Sequence, residues 1–85
     1  MGKEMFKKID GIWEQLSNAL GVDVYDHEKY GYIECMMVGI YIVCRYQDGD
    51  KVCYEIDNKG VVCSSGKVKN RKVVEEFVEF IENEF

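Results

Sequence analysis

Near both ends of the chain, apolar residues recur at three- and four-residue steps. Met5, Phe6, Ile9, Ile12, Trp13, Leu16 and Leu20 make one stripe, which predicts a helix over about Lys3 to Leu20. Gly21 stands where a helix-ending glycine belongs. A second stripe, Val73, Val74, Phe77, Val78, Phe80, Ile81 and Phe85, predicts a helix from about Arg71 to Phe85 with Asn70 as its N-cap. Its other side carries Glu75, Glu76, Glu79, Glu82 and Glu84.

Between the helices the residue types change. Tyr32 to Tyr46 is rich in Ile, Val, Tyr and Cys and holds no proline, which favours strand. A straight strand of that length would run roughly 50 Å at about 3.3 Å per residue. So small a domain cannot hold it, and Gly39 is where it must bend or break. A bulge at Val38-Gly39 keeps Ile33, Cys35, Met37, Ile40, Ile42 and Cys44 on one core face. A tight turn at Gly39 would make two strands instead. A three-residue loop at Gln47-Asp48-Gly49 then sets Cys44 opposite Val52, Ile42 opposite Tyr54 and Ile40 opposite Ile56. A second loop at Asn58-Lys59-Gly60 sets Ile56 opposite Val62 and Tyr54 opposite Ser64. Val22 to Tyr25 is an optional extra strand. The expected fold is α+β, in α-β-β-β-α order. An antiparallel three-stranded meander, its first strand long and bent at Gly39 or split in two, packs with two amphipathic helices.

In this register the face opposite the core is itself substantially apolar. It carries Glu34, Met36, Val38, Tyr41, Val43 and Arg45 on the long strand, then Cys53 and Glu55, then Val61 and Cys63. Two helices on opposite faces would hide it within one chain. Two helices on one face would leave it to another protein or a second copy, because exposed apolar patches of several hundred Å² are unusual in free monomers. The second arrangement is the expected one. Met36, Val38, Tyr41, Val43, Arg45, Cys53, Glu55, Val61 and Cys63 are the partner-binding candidates, with Tyr41 as the anchor and Arg45 and Glu55 setting the register.

Composition narrows the function. Eighty-five residues make one domain, and 47% hydrophobic with 32% charged residues is a globular balance. A net charge of -5 opposes broad binding to nucleic acid or acidic membranes. Charges interrupt the first twenty residues, so neither a secretory leader nor a membrane span is expected, and Phe6 breaks the myristoylation pattern after Gly2. The expected location is the cytoplasm. Cys35, Cys44, Cys53 and Cys63 lie nine, nine and ten residues apart, a strand-to-strand rhythm rather than a metal knuckle. Reduced cysteines packed as small apolar residues are expected, with a disulfide or a cross-strand zinc site as the alternative.

Lys67, Lys69, Arg71 and Lys72 gather where the acidic last helix begins, an alternative anion-binding site. Pairing of Arg71 with Glu75 and of Lys72 with Glu76 offers a purely structural reason for two of them. The element order and this basic entrance resemble the double-stranded RNA-binding domain, with Gly66, Asn70, Arg71, Lys72 and Val74 in matching places. That resemblance implies phosphate contacts from Arg71 and Lys72. The chain departs from the family's pattern at Val68, where a second glycine stands, and at Glu75, where a lysine does. It also lacks the family's Gly-Pro-x-His loop.

No enzyme is spelled out. His27, the sole histidine, lies in the polar turn "YDHEKY", with no serine or activated cysteine arranged around it. "GDK" and "SGK" are not phosphate loops. No cofactor or metal is expected. Glu75, Glu76, Glu79 and Glu82 could present a negative stripe that imitates nucleic acid, as phage-encoded inhibitors do. The expected function is non-catalytic protein association, self-association first, in a regulatory or inhibitory role. Nucleic-acid binding through the basic helix entrance is the alternative.

Overall fold

The computed structural model describes residues 2–84; the expected end of the second helix at Phe85 lies outside them. Helix α1 (Gly2–Leu20) opens the chain and α2 (Arg71–Glu84) closes it. Between them run six strands: β1 (Asp23–His27), β2 (Gly31–Val38), β3 (Tyr41–Asp48), β4 (Lys51–Ile56), β5 (Gly60–Cys63) and β6 (Val68–Lys69). They form one antiparallel sheet whose spatial order is the chain order. The α+β class and the helix-meander-helix plan are those expected. The optional strand near Val24 is β1, and the long strand is divided at Gly39.

That division decides the rest. Val38 pairs with Tyr41, so Gly39 and Ile40 form a two-residue turn rather than a bulge. Gly39 has a φ of +62°, as a glycine-led hairpin turn requires, and a Cβ there would stand 2.5 Å from the Phe80 ring. The next loop is also two residues, Gly49 and Asp50, since Asp48 pairs with Lys51. Cys44 therefore faces Glu55 and Tyr46 faces Cys53, correcting the three-residue loop and the pairs built on it. In the third turn Asp57 and Asn58 are left-handed, and the Lys59 N–H donates to the Ile56 carbonyl at 3.0 Å. This is type I′ geometry, which Asp and Asn tolerate. Tyr54 then pairs with Val62 and Ile56 with Gly60, not with Ser64 and Val62 as expected. Gly60 is glycine for a different reason: a Cβ would meet Val74 at 2.8 Å.

Both helices lie on one face. Ile9 and Trp13 of α1, with Val74, Phe77, Val78 and Ile81 of α2, close over Met36, Val38, Val43, Tyr54, Ile56 and Val62. Phe6 and Trp13 flank the Tyr54 ring at centroid distances of 5.5 and 5.6 Å, and Phe77 meets Tyr41 edge-on at 5.2 Å. α1 ends as its glycine suggests, the Gly21 N–H donating to the Ser17 carbonyl at 3.1 Å with φ at +81°. No helix among the described residues is long and apolar enough to cross a membrane.

Candidate interaction face

Because strand side chains alternate, the inner-face assignments fix the outer face residue by residue. The registers align it in rows across the strands. One row runs Asp23, Cys35, Cys44, Glu55, Val61 and Lys69; beside it Tyr25 pairs with Ile33, and Tyr46 lines up with Cys53 and Cys63. Above them Met37 faces Ile42, and Ile40 projects from the turn.

The rows place the cysteines directly opposite one another in pairs. Cys35 is disulfide-bonded to Cys44 across β2 and β3, and Cys53 to Cys63 across β4 and β5. The Cα atoms of each pair are 4.1 Å apart, the close approach of a non-hydrogen-bonded antiparallel pair. All four expected thiols are thus replaced by two staples, one per hairpin. The Ile42 N–H accordingly points away from β2 and donates to Asp57 Oδ1 at 2.8 Å, while the Asp57 N–H returns to the Ile42 carbonyl at 2.9 Å.

The two-residue loop at Gly49-Asp50 sets Tyr54 and Ile56 on the face of Arg45 and Val43 rather than that of Ile42 and Cys44, so every partner-binding candidate on β2 and β3 lies on the helix side. Met36, Val38 and Val43 are core residues under the helices, at 4%, 0% and 1% exposure. Tyr41, the expected anchor, packs on Phe77 and Phe80. Arg45 is on the helix side too, where its Nη1 donates to Glu34 Oε1 at 3.1 Å. Burial opposes its charge, but Tyr54 and Glu34 outweigh that and hold the guanidinium pKa above its ordinary value. The Tyr54 hydroxyl donates to Asp10 on α1. Burial first, then this bond and the Asp10 charge, push its pKa far up. Of the nine candidates, Cys53, Glu55, Val61 and Cys63 do face outward, but Cys53 and Cys63 are buried in their disulfide.

In place of the reversed residues, Tyr25, Ile33, Met37 and Ile42 form the outer strip around the Cys35–Cys44 bond. Residue types alone did not single them out, because both parities of the long strand are apolar. The spacing of the cysteines did carry a signal. Cys35 and Cys44 are equidistant from the Gly39-Ile40 dipeptide, and Cys53 and Cys63 are equidistant from Asn58. Turns centred there put each pair in register.

The β4–β6 half of this face differs in character. Lys67 and Lys69 stand at its edge, joined by Lys51 from β4 and Lys29 from the β1–β2 turn around a hollow of about 320 Å³. Tyr30 and Tyr46, their ring centres 4.4 Å apart and the planes tilted by 34°, form one wall. Burial, then Glu55, Tyr30 and Asp48, raise the Tyr46 pKa to about 12. Arg71 is not here. It borders a separate concavity with Glu4, Met5 and Lys8 on α1, and Lys72 is exposed on α2. The expected anion cluster is therefore split. His27 is exposed at the end of β1, its Nδ1 accepting the Lys29 N–H at 3.1 Å. Glu75, Glu76, Glu79 and Glu82 are exposed along α2.

Compared with protein-family models, curated proteins and solved structures, the chain matches none of them significantly.

Proposed function

We propose that this protein is a non-catalytic association module that pairs with a second copy of itself through the β1–β3 half of its outer face. The observation that carries this reading is the placement of both helices on one side, which leaves Ile33, Met37, Ile42 and the partly shielded Cys35–Cys44 disulfide, a strip flanked by Asp23 and Glu55, with no helix over it. Tyr25, Met37, Ile40 and Ile42 are 53%, 64%, 82% and 46% exposed. Together they offer roughly 500 Å² per copy, so two copies face to face would bury about 1,000 Å², the lower end for a specific interface. A strip uncharged along its centre is complementary to itself under a two-fold axis, and no ion pair has to be desolvated there.

The cytoplasmic location expected from the sequence fits poorly with two disulfides, which persist in non-reducing surroundings. We place the working protein there. Reduced and oxidised fractions, separated by alkylation and mass analysis of protein from its native setting, decide this point.

Light scattering at two concentrations tests the association. A dimer that becomes a monomer in Met37→Glu/Ile42→Glu, with an unchanged circular dichroism spectrum, is the expected result. A wild-type chain that stays monomeric at high concentration overturns the proposal.

A further inference from the structure

The lysine-rich hollow lies outside the strip assigned to self-association. It draws four cations from separate segments: the β1–β2 turn, β4, the β5–β6 connection and β6. Only two carboxylates, Asp48 and Glu55, share it. A chain of net charge -5 thus holds a local excess of two positive charges in one concavity. Among the described residues the sole ion pair is Arg45–Glu34, on the other face, so none of the four ammonium groups is neutralised by a carboxylate at contact distance. Lys29 also stands 5.3 Å from the centre of the Tyr30 ring, which ties one cation to the aromatic wall. Val61 and the buried Cys63 line the hollow as well. A hollow of about 320 Å³ is at the small end of ligand pockets.

We infer that this hollow binds a phosphate ester of mononucleotide size, its phosphate among Lys51, Lys67 and Lys69 and its ring against the Tyr30–Tyr46 wall. Phosphate needs convergent cations, and a flat ring needs an aromatic surface; the hollow sets the two side by side. The Tyr46 hydroxyl, protonated at neutral pH, adds a neutral donor beside the lysines. The overall negative charge repels long polyanions and is much less of a barrier to a single phosphate group. The phosphate ester can arrive as a free nucleotide or as part of a single strand.

The test is a heteronuclear NMR titration of the full chain with adenosine monophosphate, inorganic phosphate and a short single-stranded oligonucleotide. It is run on the wild type and on Met37→Glu/Ile42→Glu, so a failure of self-association leaves the result readable. Adenosine monophosphate is expected to shift Tyr46, Lys51, Lys67 and Lys69 and to bind about tenfold more weakly to Lys67→Glu/Lys69→Glu, a change of two exposed charges that leaves the fold intact. Tighter, salt-sensitive binding of the oligonucleotide at the same residues assigns the ligand to a strand; equal or weaker binding assigns it to the free nucleotide. Three results overturn the inference. Inorganic phosphate binding as well as the nucleotide denies the aromatic wall a role. Unchanged affinity in Lys67→Glu/Lys69→Glu denies the lysines one. No shifts at all would mean that the lysines only guard the sheet edge against aggregation.

Discussion

On the helix side of the sheet, Val38, Val43, Tyr54, Ile56 and Val62 are almost wholly sealed by α1 and α2. The same strands present Met37, Ile42, Tyr46 and Glu55 on the other side, where two disulfides cross-link neighbouring strands and no helix lies. One face is held by burial, the other by covalent bonds. The contrast teaches how so short a chain can leave one sheet face without a helical layer. Its core is one layer thick and close to the lower limit for independent stability, and the staples supply what a second layer would have supplied.

The sharpest way to break this comparison is to put the same charge on each face. Val43→Glu buries an unpaired carboxylate under the helices. It should cost about 3–5 kcal/mol or more, enough to unfold a domain of this size, as read by chemical denaturation. Met37→Glu, six residues earlier and on the opposite face, should leave the denaturation midpoint nearly unchanged and lower only the solution mass. Equal destabilisation by both would mean that the outer strip is packed, not free.

The disulfides come next. Each closes a loop of about ten residues, so chain-entropy reasoning assigns about 2.5–3 kcal/mol to each. Cys35→Ala/Cys44→Ala and Cys53→Ala/Cys63→Ala should each lower stability by about that much. Cys44 is half-buried whereas Cys53 and Cys63 are buried, so a mild thiol reductant should open Cys35–Cys44 first, as alkylation and mass analysis would report.

Alkaline pH probes both faces more gently. A tyrosine of the unfolded chain ionises near the ordinary value of 10, while folded Tyr46 resists to about 12 and Tyr54 beyond it. Above pH 10 the unfolded chain therefore releases protons that the folded chain retains. Stability present below pH 10 should fall as pH rises toward 12. Circular dichroism should show unfolding together with a late rise in tyrosinate absorbance. Tyr46→Phe should reduce the pH-dependent loss in part. The smallest effect belongs to Lys72→Ala, remote from both faces, at within about 0.5 kcal/mol and with no change in the hollow.

These contrasts also explain how much of the fold could be read in the chain. The helices were legible because an apolar stripe at helical spacing has only one way to face a core. The paired strands were less so. Gly39 breaks the long strand as the sequence suggests, but the expected and observed loops at Gly49 differ by one residue, which is one step in side-chain phase, and "ECMMVGIYIVCRY" is apolar in both phases. Hydrophobic pattern therefore cannot choose, and it puts Tyr41 and Val43 on the partner-binding face, whereas Val43 belongs to the core and Tyr41 packs against it. Glu34 opposite Arg45 and Cys35 opposite Cys44 are the pairs that distinguish a turn at Gly39 from a bulge. Gly60 misled for another reason: its glycine serves close packing against Val74, not a left-handed turn. β6, two residues long, had too little sequence to announce itself. Lys29 and Lys51 escaped notice because only the folded sheet brings them beside Lys67 and Lys69.

The strictly sequential strand order bears on how the protein matures. Each cysteine's partner is its neighbour in the chain, first with second and third with fourth, so the native bonds form within single hairpins. Of the three ways to join four cysteines, this one spans the shortest stretches. A chain oxidised as it leaves the ribosome or a translocation channel would meet each correct partner before any wrong one, with little need for an isomerase.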